Sequence, residues 1–190
     1  MNTLKELFQE QLKDLHNAEK QLVKALPAMA RKASTPSLKE AFTSHLEETD
    51  NHVQRLEQIG EALDLNLKGK VCKAMQGLIE EGKEVLKEKG GSLVIDAALI
   101  AAARAVEHYE MSAYESALAV AQQLGHKGAV ELLEATLEEE SAADEKLDAI
   151  SLDQVLPEAP LAAEDTDTGD EGTAEPARKG GNKGRAGRSA

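Results

Sequence analysis

Eight side chains, Glu19, His45, Glu48, His52, Glu107, Glu110, Glu140 and Asp144, carry the chemistry that this sequence offers. All lie on or beside helical stripes of apolar residues, where polar groups are out of place. One stripe runs Leu38, Phe42, His45, Thr49, His52, Leu56, Ile59, Leu63, with Glu48 one position off it. Glu19 stands beside Leu15 and Leu22, and Asp14 falls between Gln11 and Ala18. Glu107 and Glu110 precede Tyr114 by one to two turns, and Glu140 and Asp144 sit one turn apart between Leu137 and Leu147. A buried carboxylate costs several kcal/mol unless it is paired, hydrogen-bonded or bound to a metal. Taken singly, any of these groups could be a flank residue; the set is what points to metal. Hard carboxylates with a few imidazoles suit iron or manganese better than zinc or copper. His16 and His126 are expected at the surface, His108 lies one position off its stripe, and Tyr114 is expected to pack.

The elements that must position these groups are long helices. The first stripe is Leu4, Phe8, Gln11, Leu15, Ala18, Leu22, Ala25, Met29, ending where Ser34-Thr35-Pro36-Ser37 supplies a stop and a new start. The His-bearing stripe follows, then a weaker helix over 70–89 with Gly77 and Gly82 inside it. A strong helix over 92–124 ends at Gly125, and a last one follows Lys127. Tight turns make the first two helices, and the last two, antiparallel hairpins. Two hairpins joined by about 27 residues define an all-α, ferritin-like four-helix bundle with one long crossover containing a short fifth helix. That crossover can run the length of a ~45 Å helix, placing the two turns at opposite ends. Glu19 and Glu48 then lie ~20–23 Å from the first turn, and Glu110 and Glu140 fall at a similar depth from the second. Six or seven acids and imidazoles would meet in one dry layer near the middle, which repulsion forbids unless cations enter it.

Composition agrees with packed helices. Four aromatics and no Trp occur among 190 residues, and Ala, Leu, Glu and Lys dominate. The net charge of −13 is spread unevenly: −10 over residues 1–150, −8 over 151–175 and +5 over 178–190. An acidic body repels nucleic-acid phosphates, so only weak contact through the basic end is open to it. The bundle is assigned to residues 1–152, and 153–190 reads as a disordered tail, acidic then basic. Neither a secretory signal nor a membrane-spanning run is present in the sequence, and the lone Cys72 forms no internal disulfide, so a cytoplasmic setting is expected. Nucleophilic catalysis and phosphate binding lack their motifs: there is no Gly-x-Ser-x-Gly, Cys72 has no neighbouring His, and Gly90-Gly91 lacks a following Lys-Ser/Thr.

The strings DLHNAEKQLVKALP, HLEETDNHVQRLE, DAALIAAARAVEHYEMSAYE and LEEESAADEKL, in that order, resemble the YciE/YciF group of bacterial stress proteins in the ferritin-like superfamily. The resemblance covers residues 3–150. It implies a homodimer related to rubrerythrins and manganese catalases, holding two iron or manganese ions. Such relatives take one Glu from helices one and three and a Glu-x-x-His pair from helices two and four. Glu19 and Glu107 match the single glutamates. His52 matches the second-helix imidazole, but Thr49 stands where its Glu would be, so Glu48 or His45 must substitute. Glu140 fits the last helix, but Ala143 stands at the His position, which Asp144 or Glu110 would make good.

Two functions remain on these residues. One is a stress-response dimetal carboxylate protein reacting with peroxide or oxygen, as a peroxidase, catalase or ferroxidase would. The other is a non-catalytic dimeric helical protein that acts through partner association, its inner acids paired with side chains. Few cations fall near the inner stripes, Arg104 being the nearest, which ranks the second reading lower.

Overall fold

Where the sequence punctuates the apolar repeat, the backbone turns. The computed structural model describes residues 1–161; the acidic and basic stretches beyond, 162–190, lie outside the described residues. Five α-helices follow in chain order: α1 (Leu4–Lys32), α2 (Pro36–Ala62), α3 (Lys73–Lys87), α4 (Ser92–Leu124) and α5 (Lys127–Ile150). Thr3 caps α1 by accepting a hydrogen bond from the Glu6 amide at 3.2 Å. Pro36 opens α2, where its missing N–H costs nothing. Gly125 closes α4 at a φ of 73°, the left-handed conformation that glycine adopts without a Cβ clash.

α1 pairs with α2 and α4 with α5; α1 also lies beside α4 and α2 beside α5, while α3 packs over α1 and α4. The α1–α2 turn meets the start of α4 through Asp96. At the far end Phe8 stacks on His126 of the α4–α5 turn, with ring centroids 5.9 Å apart. The two turns therefore occupy opposite ends, and the segment from α2 to α4 crosses the full length of the bundle, as the connectivity predicts.

Asp96 anchors that first end. Fully buried, it accepts from the Ser34 amide (2.9 Å) and hydroxyl (2.7 Å) and from the Thr35 amide (2.7 Å) and hydroxyl (2.6 Å). Burial would raise its pKa, but these four donors outweigh that and hold it below the usual carboxylate value.

The core divides in two. Towards the Asp96 end, Leu22, Leu26, Leu38, Phe42, Leu99 and Ile100 pack together; towards the other, Phe8, Leu12, Leu15, Leu56, Ile59 and Leu133 do. Each such side chain contributes roughly 1.5–3 kcal/mol on burial. Between the two clusters lies a layer of buried polar groups. The backbone also stays helical past residue 152, in a π-helical turn (Ser151–Val155) and a 3-10 turn (Leu156–Glu158), because Val155 seats fully buried in the first cluster. No helix among the described residues is long and apolar enough to cross a membrane.

Candidate metal centre

The middle layer collects Glu19 from α1, His45, Thr49 and His52 from α2, Glu107, Glu110 and Tyr114 from α4, and Glu140 from α5, all buried. Two trios form within it: Glu19, His52 and Glu140, and His45, Glu107 and Glu140. In each, one donor atom per residue lies within 4.8 Å of the others. Glu140 belongs to both. Its Oε1 lies 3.1 Å from His52 Nδ1 and its Oε2 lies 3.6 Å from His45 Nε2. His52 Nδ1 is also 3.5 Å from Glu19 Oε1, and His45 Nε2 is 3.5 Å from Glu107 Oε2. With two separations of 3.1–3.6 Å in each trio and the third within 4.8 Å, the point equidistant from the three donors lies no more than about 2.4 Å from each, which is within reach of a metal ion.

Both imidazoles are aimed by carboxylates on their outer nitrogens. His45 Nδ1 lies 3.1 Å from Glu48 Oε2, and His52 Nε2 lies 2.8 Å from Glu139 Oε2. Glu139 in turn accepts both arms of Arg55, at 2.6 and 2.7 Å. When a ring carries its only proton on the outer nitrogen, its lone pair faces inward, the arrangement that prepares a histidine for a metal.

The inward atoms have no protein partner. Of nine buried side-chain nitrogen and oxygen atoms without a hydrogen bond among the described residues, eight belong to Glu19, His45, His52, Glu107, Glu110 and Glu140. The ninth is Gln11 Oε1. Both oxygens of Glu110 are bare. Burial, and then the neighbouring carboxylates, push Glu107 and Glu110 well above the usual carboxylate range. Burial also raises Glu19. It would raise Glu140 too, but His52 and His45 pull that group below its ordinary value. Burial would lower His52, yet Glu140 and Glu19 push it up to about 10. With side chains alone in the layer, Glu19, Glu107 and Glu110 are shifted towards their protonated forms and only Glu140 towards the ionised one.

Three residues expected in the layer lie outside it. Asp144 turns sideways to Arg104, 2.8 Å from its Nε, and to His108, 3.2 Å from its Nε2. One turn on from Glu140, α5 has rotated about 40° and aims this residue along the α4 seam. Glu48, with a side chain 43% exposed, sits behind His45 rather than among the inner donors. Asp14 faces Lys70 at 3.5 Å. His16, expected at the surface, is buried with its Nε2 3.0 Å from Glu57. Tyr114 packs as expected and also donates its O–H to Glu19 Oε1. Glu139, adjacent to Glu140 and off the stripe, carries no mark in the helical periodicity. Its signal is the pairing of Arg55 with an acid across the α2–α5 seam, which needs the register of the two helices.

An all-α bundle of two hairpins, a full-length crossover and a buried carboxylate–imidazole layer is a ferritin-like protein by fold. The family model described as a domain of unknown function (DUF892) matches residues 3–159, and the chain belongs to that family. It is 45% identical over 156 residues to Protein YciF of Escherichia coli K12, covering 82% of this chain and 94% of that one. The crystal structure of the E. coli stress protein YciF superimposes with a TM-score of 0.78, covering 80% of this chain and 96% of the other. YcfI of Rhodopseudomonas palustris matches at 41% identity and a TM-score of 0.75, over 78% and 94% of the two chains. A Xanthomonas campestris protein at 19% identity shares the fold, with a TM-score of 0.64 over 79% and 92%.

Proposed function

We propose that the protein is a stress-response dimetal carboxylate protein that holds two iron or manganese ions in the middle layer and reacts with peroxide or oxygen. The observation that carries this reading is the set of six unpartnered buried atoms on Glu19, His45, His52, Glu107 and Glu140, residues that group as two trios sharing Glu140. The donor set fits: carboxylates with one imidazole per ion suit iron or manganese. Glu19, His52 and one oxygen of Glu140 would hold one ion; His45, Glu107 and the other oxygen would hold the second. Glu110 stands beside both as a further carboxylate. Bound redox-active ions would supply electron exchange with peroxide or dioxygen. The chain's own groups do the rest: Glu48 and Glu139 fix the rings, Tyr114 orients Glu19, and the two apolar clusters keep water out above and below.

The partner-association reading is weakened by where the cations sit. Arg55 turns to Glu139 and Arg104 to Asp144 and Asp148, so neither neutralises the inner acids. A cytoplasmic homodimer completes the proposal; the free, buried thiol of Cys72 accords with a reducing compartment, and sedimentation of the purified protein checks the dimer. Elemental analysis of protein from iron- or manganese-supplied cells tests the centre itself. About two ions per chain are expected, falling sharply in Glu107→Ala; less than about a tenth of an ion per chain in both proteins would end the reading.

A further inference from the structure

The two trios differ in access. Around Glu19 and His52 the layer is sealed: both residues are fully buried, Tyr114 bonds Glu19, and the outer nitrogen of His52 is closed off by Glu139 and Arg55. Beside His45 and Glu107 the packing opens. A cavity of about 130 Å³ lies between α2 and α5, bounded by Phe42, Ser44, His45, Glu107, Ala143 and Lys146. Neither Glu19 nor His52 borders it. Facing it are two side chains more than nine-tenths buried, His45 and Glu107, whose Nε2 and Oε2 lack hydrogen-bond partners. Ala143, three residues after Glu140 and so on the same face of α5, presents only a methyl group to this space.

We propose that the His45–Glu107–Glu140 half binds the exogenous ligand, and that this ligand is a small neutral molecule of the size of hydrogen peroxide or dioxygen, entering between α2 and α5 over Ala143. The inference rests on the metal reading above and specifies which half of the centre is open. Size argues for it, because sites for organic ligands occupy roughly 300–1,000 Å³ and this cavity is far smaller. Charge argues for neutrality. Glu48 and Glu139 also border the cavity and Glu107 stands at its inner end, so an anion meets carboxylates throughout, while Lys146, 3.2 Å from the Ser44 hydroxyl, lies near the opening. The other half is left to hold its ion rather than to exchange ligands.

Nitric oxide, a neutral diatomic, added without oxygen to the ferrous-loaded full chain tests the proposal optically. About one adduct per pair of ions is expected. Ala143→Leu should leave the metal content and melting temperature near those of the parent while slowing adduct formation by about tenfold or more. Ala119→Leu, at an exposed position on α4 away from the cavity, is the control and should change neither. Hydrogen peroxide should oxidise the ferrous protein at least about tenfold faster than tert-butyl hydroperoxide does. Unslowed nitric oxide binding in a metal-replete Ala143→Leu protein, adducts on both ions, or equal rates with the two peroxides would each overturn the inference. Failure to take up iron at all would instead overturn the metal reading beneath it, so the two failures are told apart by the metal content.

Discussion

Asp96 and Glu110 are both fully buried acids on the same helix, and the protein treats them in opposite ways. Asp96, at the end of the bundle, receives four hydrogen bonds from Ser34 and Thr35 and is held ionised below the usual carboxylate range. Glu110, at the middle, receives none, and burial drives it well above that range. The chain evidently can build a complete nest of donors for a buried carboxylate. It does not do so in the middle layer, where Glu107 and Glu140 also have oxygens without hydrogen bonds and Glu19 receives one bond, from Tyr114. The contrast separates an acid that is part of the architecture from acids that the surrounding protein leaves largely without hydrogen bonds.

Three changes would break or sharpen this contrast. The largest effect is expected from Glu140→Gln, because that carboxylate serves both trios. Affinity for both ions should fall by more than about 100-fold, beyond the loss typical of an outer-layer substitution. The metal-dependent rise in melting temperature should disappear with it. Loss of only one ion, read by calorimetric titration, would show that Glu140 is not shared.

Asp96→Ala should come next, lowering unfolding stability by about 2–4 kcal/mol in denaturant titrations while leaving the metal content unchanged. Its sign with pH is fixed by the lowered pKa. The folded form holds the proton less tightly than the unfolded chain, so the Asp96 contribution is whole above the unfolded pKa of about 3.9 and fades as pH falls through the folded value. The difference between parent and Asp96→Ala should therefore be flat near neutrality and shrink below about pH 4. A difference that grew on acidification would contradict the hydrogen-bonded, ionised Asp96.

The smallest effect has the opposite direction. In chelator-treated protein near neutral pH Glu110→Gln should raise stability by about 1 kcal/mol, since it removes an acid that folding forces towards its protonated form without changing its size. Destabilisation there would mean that Glu110 has a protein partner and that the contrast with Asp96 fails.

Much of this arrangement was legible in the sequence because helical spacing is a strong signal over thirty residues. The stripes located the helices, and counting from the two turns brought Glu19, Glu110 and Glu140 to one depth, together with Glu48, which instead sits behind His45. His45 and His52 stood out by interrupting an otherwise apolar row. Asp144 did not follow, because a 40° step at the edge of a stripe decides between core and seam, and periodicity does not resolve it. The role of Asp96 is not legible in the sequence, because its donors lie more than sixty residues earlier, in a turn that only the tertiary fold brings near. Glu139 was hidden for a related reason: its role depends on α2 and α5 sharing a register.

Both imidazoles come from α2, and their ring centroids are 6.2 Å apart. The nitrogen donors of the centre therefore ride on a single rigid rod, whereas the oxygen donors are spread over three others. Sliding that rod by one residue, about 1.5 Å, would carry both rings off target together. A displacement of α2 along its axis would thus move both rings together, and what distinguishes them is the group behind each: Glu48 alone for His45, Glu139 held by Arg55 for His52.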